Sequence, residues 1–162
     1  MLAIGDLAPN FSLLNQDGKS VTLSDFIEKS IIVLFFYPKD RSPGCTTEAC
    51  SFRDNYFGFK ALGAEIIGIS NDTPSSHTQF AHTYKLPYPL LFDEDGHVSD
   101  LYGVKKSLGF LPGRATFVVD QSGRICYAMS SQLQVLKHVD ESLEVVERIS
   151  EEWKKQENRI QR

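Results

Sequence analysis

Ile31-Ile32-Val33-Leu34-Phe35-Phe36-Tyr37 runs directly into Pro38-Lys39-Asp40-Arg41-Ser42-Pro43-Gly44-Cys45-Thr46-Thr47-Glu48-Ala49-Cys50. The first seven residues are apolar throughout and mostly β-branched or aromatic. With no polar alternation, they read as a central strand covered on both faces. Pro38 ends the strand and residues 39–44 form a loop. Ser42 before Pro43 reads as a helix start: the hydroxyl caps free amides, and proline at the first helical position gives up no hydrogen bond. Cys45 then falls in the first helical turn. Unpaired backbone N–H groups and the helix dipole favour a thiolate there over a thiol.

Outward from this segment, strand and helix patterns alternate. Asn15-Gln16-Asp17-Gly18 reads as the turn of a hairpin between residues 11–14 and a short strand at 21–23. Ser24-Asp25 offers a cap for a short helix. Past the loop, Ala49, Phe52, Tyr56 and Phe59 recur at spacings of three, four and three, one face of a helix. Residues 64–70 are a second buried strand. Asn71-Asp72-Thr73-Pro74 opens a helix running to about Tyr84, with Phe80 and Ala81 inward. A short apolar segment at 90–92 precedes a turn at 93–96. Residues 115–119 and 124–129 pair as a hairpin across Asp120-Gln121-Ser122-Gly123.

The chain closes with a long amphipathic helix whose predicted buried stripe is Leu136, Val139, Leu143, Val146, Ile149 and Trp153. Glu151 and Lys155 sit on its solvated face, and residues 156–162 are expected to fray. Strands separated by helices, then a hairpin and a helix, give an α/β layer architecture. Ligand sites in such sheets lie beyond the carboxyl ends of the strands, where the 38–44 loop sits.

Composition fits one domain over residues 1–162: 41% of the residues are hydrophobic and 23% charged. The formal net charge is −4, and no long basic run suggests nucleic acid or an anionic membrane as a partner. The seven-residue apolar run is far short of a membrane span. Met1-Leu2-Ala3-Ile4-Gly5-Asp6 lacks the basic and apolar regions of a secretory signal, so the expected compartment is the cytoplasm. An organellar protein whose presequence has been removed stays open. Three cysteines, an odd count, do not make a disulfide scaffold.

Cys45 lies four residues before Ala49, so its sulfur points toward the protein, at the floor of a small pocket under Ser42. A buried thiolate needs a counter-charge, and the best candidate outside the loop is Arg114, at the start of the 115–119 strand. Arg41 reads as solvated. Cys50 is five residues on. Along an ideal helix that is about 7.5 Å of rise and about 140° of rotation, so the Cα atoms are about 8.7 Å apart. That exceeds the ~7 Å reach of a disulfide, and the pair can bond only if the first turns unwind. The spacing suits a catalytic cycle better than a staple.

Metal readings fail on count, because no Cys-x-x-Cys is present and the partners of a Cys-x4-Cys ferredoxin pattern are missing. His77, His82, His97 and His138 are scattered and read as surface polarity. Cys126 reads as a reduced strand cysteine on one face with Arg124 and Ala128, opposite Ile125 and Tyr127.

At these residues the sequence resembles a peroxiredoxin of the bacterioferritin-comigratory or Q-type group. The signature Pro-x-x-x-Thr/Ser-x-x-Cys is matched by Pro38, Ser42 and Cys45, and the group's second cysteine by Cys50. The likeness continues through Gly68-Ile69-Ser70, residues 86–93 and Arg114-Ala115-Thr116-Phe117. It implies a thioredoxin-like fold, a central mixed sheet flanked by helices with an N-terminal hairpin extension. It implies a peroxide substrate attacked by Cys45, which becomes a sulfenic acid. Ser42 and Arg114 would position the peroxide and stabilise the departing charge, and Pro38 would shield the sulfenate. Cys50 would condense with the sulfenate into an intramolecular disulfide, which thioredoxin or a similar dithiol reduces. Glu48 would orient Arg114 or serve the helix dipole, with Gly44 supporting the loop. No cofactor and no metal are implied, and the group leans toward a monomer. Serine at 42 keeps the hydroxyl of the commoner threonine and loses its methyl.

Two other functions compete. A thiol–disulfide oxidoreductase on the same fold would want Cys-x-x-Cys at the helix start, which is missing. A peroxide sensor or redox-regulated chaperone would use the same loop, oxidising once where a peroxidase cycles. Cys126 remains a minor rival to Cys50 as the second cysteine.

Overall fold

The computed structural model describes residues 1–106, 108, 109 and 111–161. In chain order its elements are β1 (Ser12–Leu14), β2 (Ser20–Thr22), β3 (Ile31–Phe36), α1 (Pro43–Asp54), α2 (Tyr56–Ala61), β4 (Ala64–Ser70), α3 (Pro74–Tyr84), β5 (Leu90–Phe92), α4 (His97–Leu101), β6 (Ala115–Val119), β7 (Ile125–Ser130) and α5 (Val135–Ile160). The strands form a mixed sheet in the order β2-β1-β5-β4-β3-β6-β7. β3 runs parallel to β4 and antiparallel to β6, and the hairpin β1–β2 extends one edge.

The apolar run at 31–37 has no alternation because both faces of β3 are covered. Ile31, Val33, Phe35 and Tyr37 enter a core under α1, α2, α3 and α5, with Ala49, Phe52, Phe59, Phe80, Val139 and Val146. Ile32, Leu34 and Phe36 enter the opposite core, with Phe11, Leu23, Val98, Tyr102, Phe117 and Ile125. Each strand residue therefore buries its side chain on one side or the other.

The structure departs from the sequence reading at definable points. The helix expected through Phe59 is two helices, broken at Asn55, whose side-chain amide donates to the Ser51 carbonyl and competes with the helical ladder. Ser24 and Asp25 lie inside a 3-10 turn, Leu23–Asp25, instead of capping a helix. The turn at 93–96 leads into α4, which the sequence reading lacked. The Asp93 carboxylate, accepting from the amides of Val98 and Ser99, organises its start.

α5 continues through Ile160, past the fraying point expected at 156, because its last turns are rich in good helix formers. Arg162, in that expected tail, lies outside the described residues. Leu136 is 53% exposed, not buried. The inward stripe of α5 includes His138, Ser142 and Ser150, and counting these polar residues rotates it away from Leu136. In β7 the alternation breaks at a β-bulge, since Val119 faces Ile125 but Val118 faces Tyr127. Cys126 therefore packs with Tyr127 on the α5 side, while Ile125 and Ala128 face the other core.

Candidate active site

The loop after β3 and the first turn of α1 form the site, at the carboxyl end of the central strand. Ser42 precedes the helix with extended backbone (φ −66°, ψ 150°), Pro43 occupies the first turn, and the Ser42 carbonyl accepts from the Thr46 amide at 2.8 Å. The Ser42 hydroxyl does not cap the helix as expected. It is turned into the loop instead, where it donates to the Lys39 carbonyl at 3.1 Å. Pro38 is half-buried beside it.

Cys45 is buried on the inward face of α1. The β3–β6 register that sets Ala115 opposite Phe36 brings Arg114, one residue earlier, to the end of β3. Arg114 Nη2 donates to Cys45 Sγ at 3.3 Å, and Nη1 donates to Glu48 Oε1 at 2.7 Å. One guanidinium thus bridges the thiol and a carboxylate, a geometry that arginine's planar fork allows. Gly44 makes room for it: a Cβ there would lie 3.2 Å from Arg114 Nη2. Burial pushes the Glu48 carboxyl up to about 7, against the opposing effect of Arg114.

Cys50 is partly exposed in the same unbroken helix, and burial raises its thiol. Cys126 stands apart. Its thiol donates to the Val118 carbonyl at 3.2 Å and burial pushes it up to about 12. Arg41 is exposed with φ +65° and donates to Gln79 Oε1 at 3.0 Å, as a solvated side chain can.

Two clefts border the loop. One of about 450 Å³ is lined by Pro38, Lys39, Leu111, Pro112 and Gln132. The other, of about 500 Å³, includes Pro43, Gly44, Thr47, Leu133 and Leu136. Cys45 lines neither; its sulfur is covered by Arg114.

The structure corrects the surface reading of two histidines, while His82 and His97 are exposed. His77 is fully buried, with Nδ1 2.8 Å from Asp40 Oδ2 and Nε2 3.1 Å from the Leu91 carbonyl. Asp40 also accepts from Tyr37 and Ser76. Asp72 accepts from the Asp40 amide at 2.8 Å and from the Ser70 hydroxyl at 2.6 Å. Asp40, Asp72 and His77 bring ligand-type atoms within 4.8 Å of one another, but these atoms are already engaged in hydrogen bonds within the protein and act as a clasp. The clasp ties the loop to α3 and β4. The signal was present in the sequence: His77 precedes Phe80 and Ala81 by three and four, on the inward face of α3. His138, on the inward face of α5, is likewise buried, bonded to Thr116 and the Ser131 carbonyl.

Comparison with known proteins follows the same outline. The AhpC/TSA family model matches residues 4–128. A chloroplastic peroxiredoxin Q of Gentiana triflora is 49% identical over 144 residues, 88% of this chain and 66% of that protein. The protein of the same name from Sedum lineare is 46% identical over 144 residues, 88% of this chain and 77% of that protein. The chain thus spans about two thirds to three quarters of the length of these relatives. The crystal structure of peroxidoxin BcpB from Mycobacterium tuberculosis superposes with a TM-score of 0.85 at 36% identity, over 92% of this chain and 99% of that one. A structure of the Xanthomonas campestris bacterioferritin comigratory protein, from work on its alkyl peroxide reduction activity, gives 0.79 at 28% identity, over 86% of this chain and 92% of that one. The thioredoxin-like fold expected from the sequence is shared with these structures.

Proposed function

The chain belongs to the AhpC/TSA family and within it to the peroxiredoxin Q group, and from that premise we propose that it is a thiol-dependent peroxidase. The observation that carries the reading is the 3.3 Å approach of Arg114 Nη2 to Cys45 Sγ in a buried first helical turn. The Cys45 thiolate attacks one oxygen of the peroxide, the O–O bond breaks, and the departing oxygen leaves as water or an alcohol after taking up a proton. Cys45 becomes a sulfenic acid. Arg114 supplies positive charge where negative charge develops, and Glu48 and Gly44 hold the guanidinium in place. Pro38 and Ser42 shape the approach to the sulfur.

Cys50 then attacks the sulfenic sulfur, expelling water and forming a Cys45–Cys50 disulfide, which thioredoxin or a similar dithiol reduces by exchange. Hydrogen peroxide and organic hydroperoxides both fit this chemistry. The disulfide needs no second subunit, so the working form is a monomer, to be checked by analytical ultracentrifugation. Cytoplasm is the proposed compartment, on the sparse cysteine usage; fractionation of cells making the native protein tests it.

The test is intact-mass spectrometry with peptide mapping after one equivalent of hydrogen peroxide without reductant. A rapid loss of about 2 Da mapped to Cys45 and Cys50 supports the pair. Oxidation confined to Cys126, or no fast reaction, removes the peroxidase reading. A peroxide sensor would share the first oxidation, and sustained turnover with a thioredoxin system separates the two.

A further inference from the structure

Past Arg114, Glu48 meets a buried side chain, His138, that the peroxide chemistry does not employ. Glu48 Oε1 accepts from Arg114, but Glu48 Oε2 has no hydrogen-bond partner among the described residues. Nδ1 of His138, from α5, is 3.9 Å from that oxygen, and neither side chain is exposed. The separation is too long for a hydrogen bond. It is short enough for the form of each group to matter to the other in a buried space.

The bonds of His138 assign its tautomer. Nε2 is 2.9 Å from the Ser131 carbonyl, which only accepts, so Nε2 carries the ring proton. Nδ1 then accepts from the Thr116 hydroxyl at 2.8 Å. Burial pushes the His138 pKa down, which keeps the ring neutral and Nδ1 a lone pair. The Thr116 hydroxyl already occupies that lone pair, so Oε2 meets the dipole of the neutral ring, whose negative end lies at Nδ1. An ionised Oε2 sets carboxylate charge against that negative end and a protonated Oε2 does not, and burial of Glu48 acts in the same direction.

Other polar groups near the pair, among the described residues, are engaged with it or with other partners. From α1, Cys45 shares the guanidinium with Glu48, and from the start of β6 come Arg114 and Thr116. Tyr88, before β5, has its hydroxyl engaged by the Ala49 carbonyl. Glu141, one turn along α5 from His138, is taken up by Tyr127 and Lys137.

We propose that His138 is a positioning residue for Cys45: it keeps a proton on Glu48 Oε2, so that Arg114 faces one anion, the Cys45 thiolate, instead of two. The exchange conserves its proton. Cys45 thiol with Glu48 carboxylate stands on one side, and Cys45 thiolate with Glu48 carboxylic acid on the other. The inference rests on the thiolate reading of Cys45 above, and it is independent of which oxidant reacts.

The test is the rate of Cys45 alkylation by iodoacetamide against pH in the reduced full chain, followed by peptide mass mapping. His138→Leu moves the midpoint up by about half a unit, a roughly threefold slower reaction on the acid side. His138→Asn, which returns an acceptor near the position of Nδ1, brings it back toward wild type. In a Glu48→Gln background nothing remains to ionise, so adding His138→Leu leaves the midpoint in place. An unchanged midpoint in His138→Leu alone, or an equal shift in both backgrounds, overturns the proposal. If the leucine variant does not fold, difference infrared spectra of wild type and Glu48→Gln at about pH 6 decide. A protonated-carboxyl band lost in the variant supports the proposal, and its absence overturns it. Coupled midpoints in a chain that does not react with peroxide would uphold this inference while removing the peroxidase reading.

Discussion

The Tyr88 hydroxyl donates to the carbonyl oxygen of Ala49 across 2.6 Å, tying the middle of α1 to the segment that leads into β5. Ala49 is the residue before Cys50, and Cys45 and Cys50 share this one unbroken helix. The turn that would have to open for the two sulfurs to meet is therefore held by a buried side chain from another part of the fold. One such bond is worth about 1 kcal/mol, or about fivefold in an opening equilibrium. Tyr88→Phe is expected to speed closure of the disulfide by up to that factor, read by quench-flow mass analysis after a peroxide pulse. An unchanged closure rate would mean that this bond does not gate the step.

Oxidation itself should loosen the same turns. Thr46 and Thr47 are weak helix formers, and Thr47 Oγ1 donates back to the Pro43 carbonyl at 3.0 Å, a bond that competes with the ladder. Amide exchange across residues 45–51 is predicted to accelerate in the disulfide form relative to the reduced form. Equal protection in both forms would refute unwinding.

Arg114 serves two partners through two nitrogens, and a lysine ammonium cannot reproduce that fork. Arg114→Lys is expected to slow Cys45 oxidation by about a hundredfold, the scale of losing one donor to a developing oxyanion. Gly44→Ala places a methyl against Nη2 and gives a smaller loss in the same direction. Stopped-flow peroxide consumption measures both.

Cys126 is not expected to replace Cys50. Burial holds its thiol at about 12, and the β-bulge turns it toward α5. After peroxide, Cys50→Ser should accumulate Cys45 sulfenic acid, trapped by dimedone, with Cys126 reduced. An intramolecular disulfide in this variant would make Cys126 the partner.

Glu48 leaves a signature in stability against pH. Its carboxyl is raised to about 7 in the folded chain, above its unfolded value. The folded state therefore binds the extra proton, and this contribution is full below the unfolded pKa and fades as pH rises to about 7. His138, pushed down by burial, acts in the opposite sense: its contribution is present above its unfolded pKa and fades as pH falls. Comparison of urea midpoints for wild type and Glu48→Gln separates the two. The variant should lose less stability than wild type between about pH 5 and about pH 8. Parallel curves would show that Glu48 does not titrate in this window.

Local chemistry was legible in the residues. The uninterrupted apolar run at 31–37 required cover on both faces, and β3 has it. Thr73-Pro74 announced the start of α3, where the Thr73 hydroxyl accepts from the Ser76 amide. Pro43 placed Cys45 in a first helical turn, and Arg114 was recognisable as the cation that lies beside it. Errors fell where a side chain had a choice of partner. Ser42 was read as a cap because serine before a helix usually is one, yet its hydroxyl donates to the Lys39 carbonyl and accepts from no helix amide. Asn55 broke a helix whose apolar spacing continued straight through it.

The main strands, the α/β architecture and the cysteine at the helix start were set by the sequence itself, because apolar spacing, proline and helix-end amides act over a few residues. Only the tertiary structure decided that His77 and His138 lie inside, that Leu136 lies outside, and that a bulge turns Cys126 toward α5. It alone left Glu48 Oε2 3.9 Å from a ring nitrogen of His138 in a buried space. Burial is a property of two surfaces meeting: a histidine on a helix face is polar surface or core according to what packs over it, and here that is Asp40 from the cysteine loop and Thr116 from the sheet.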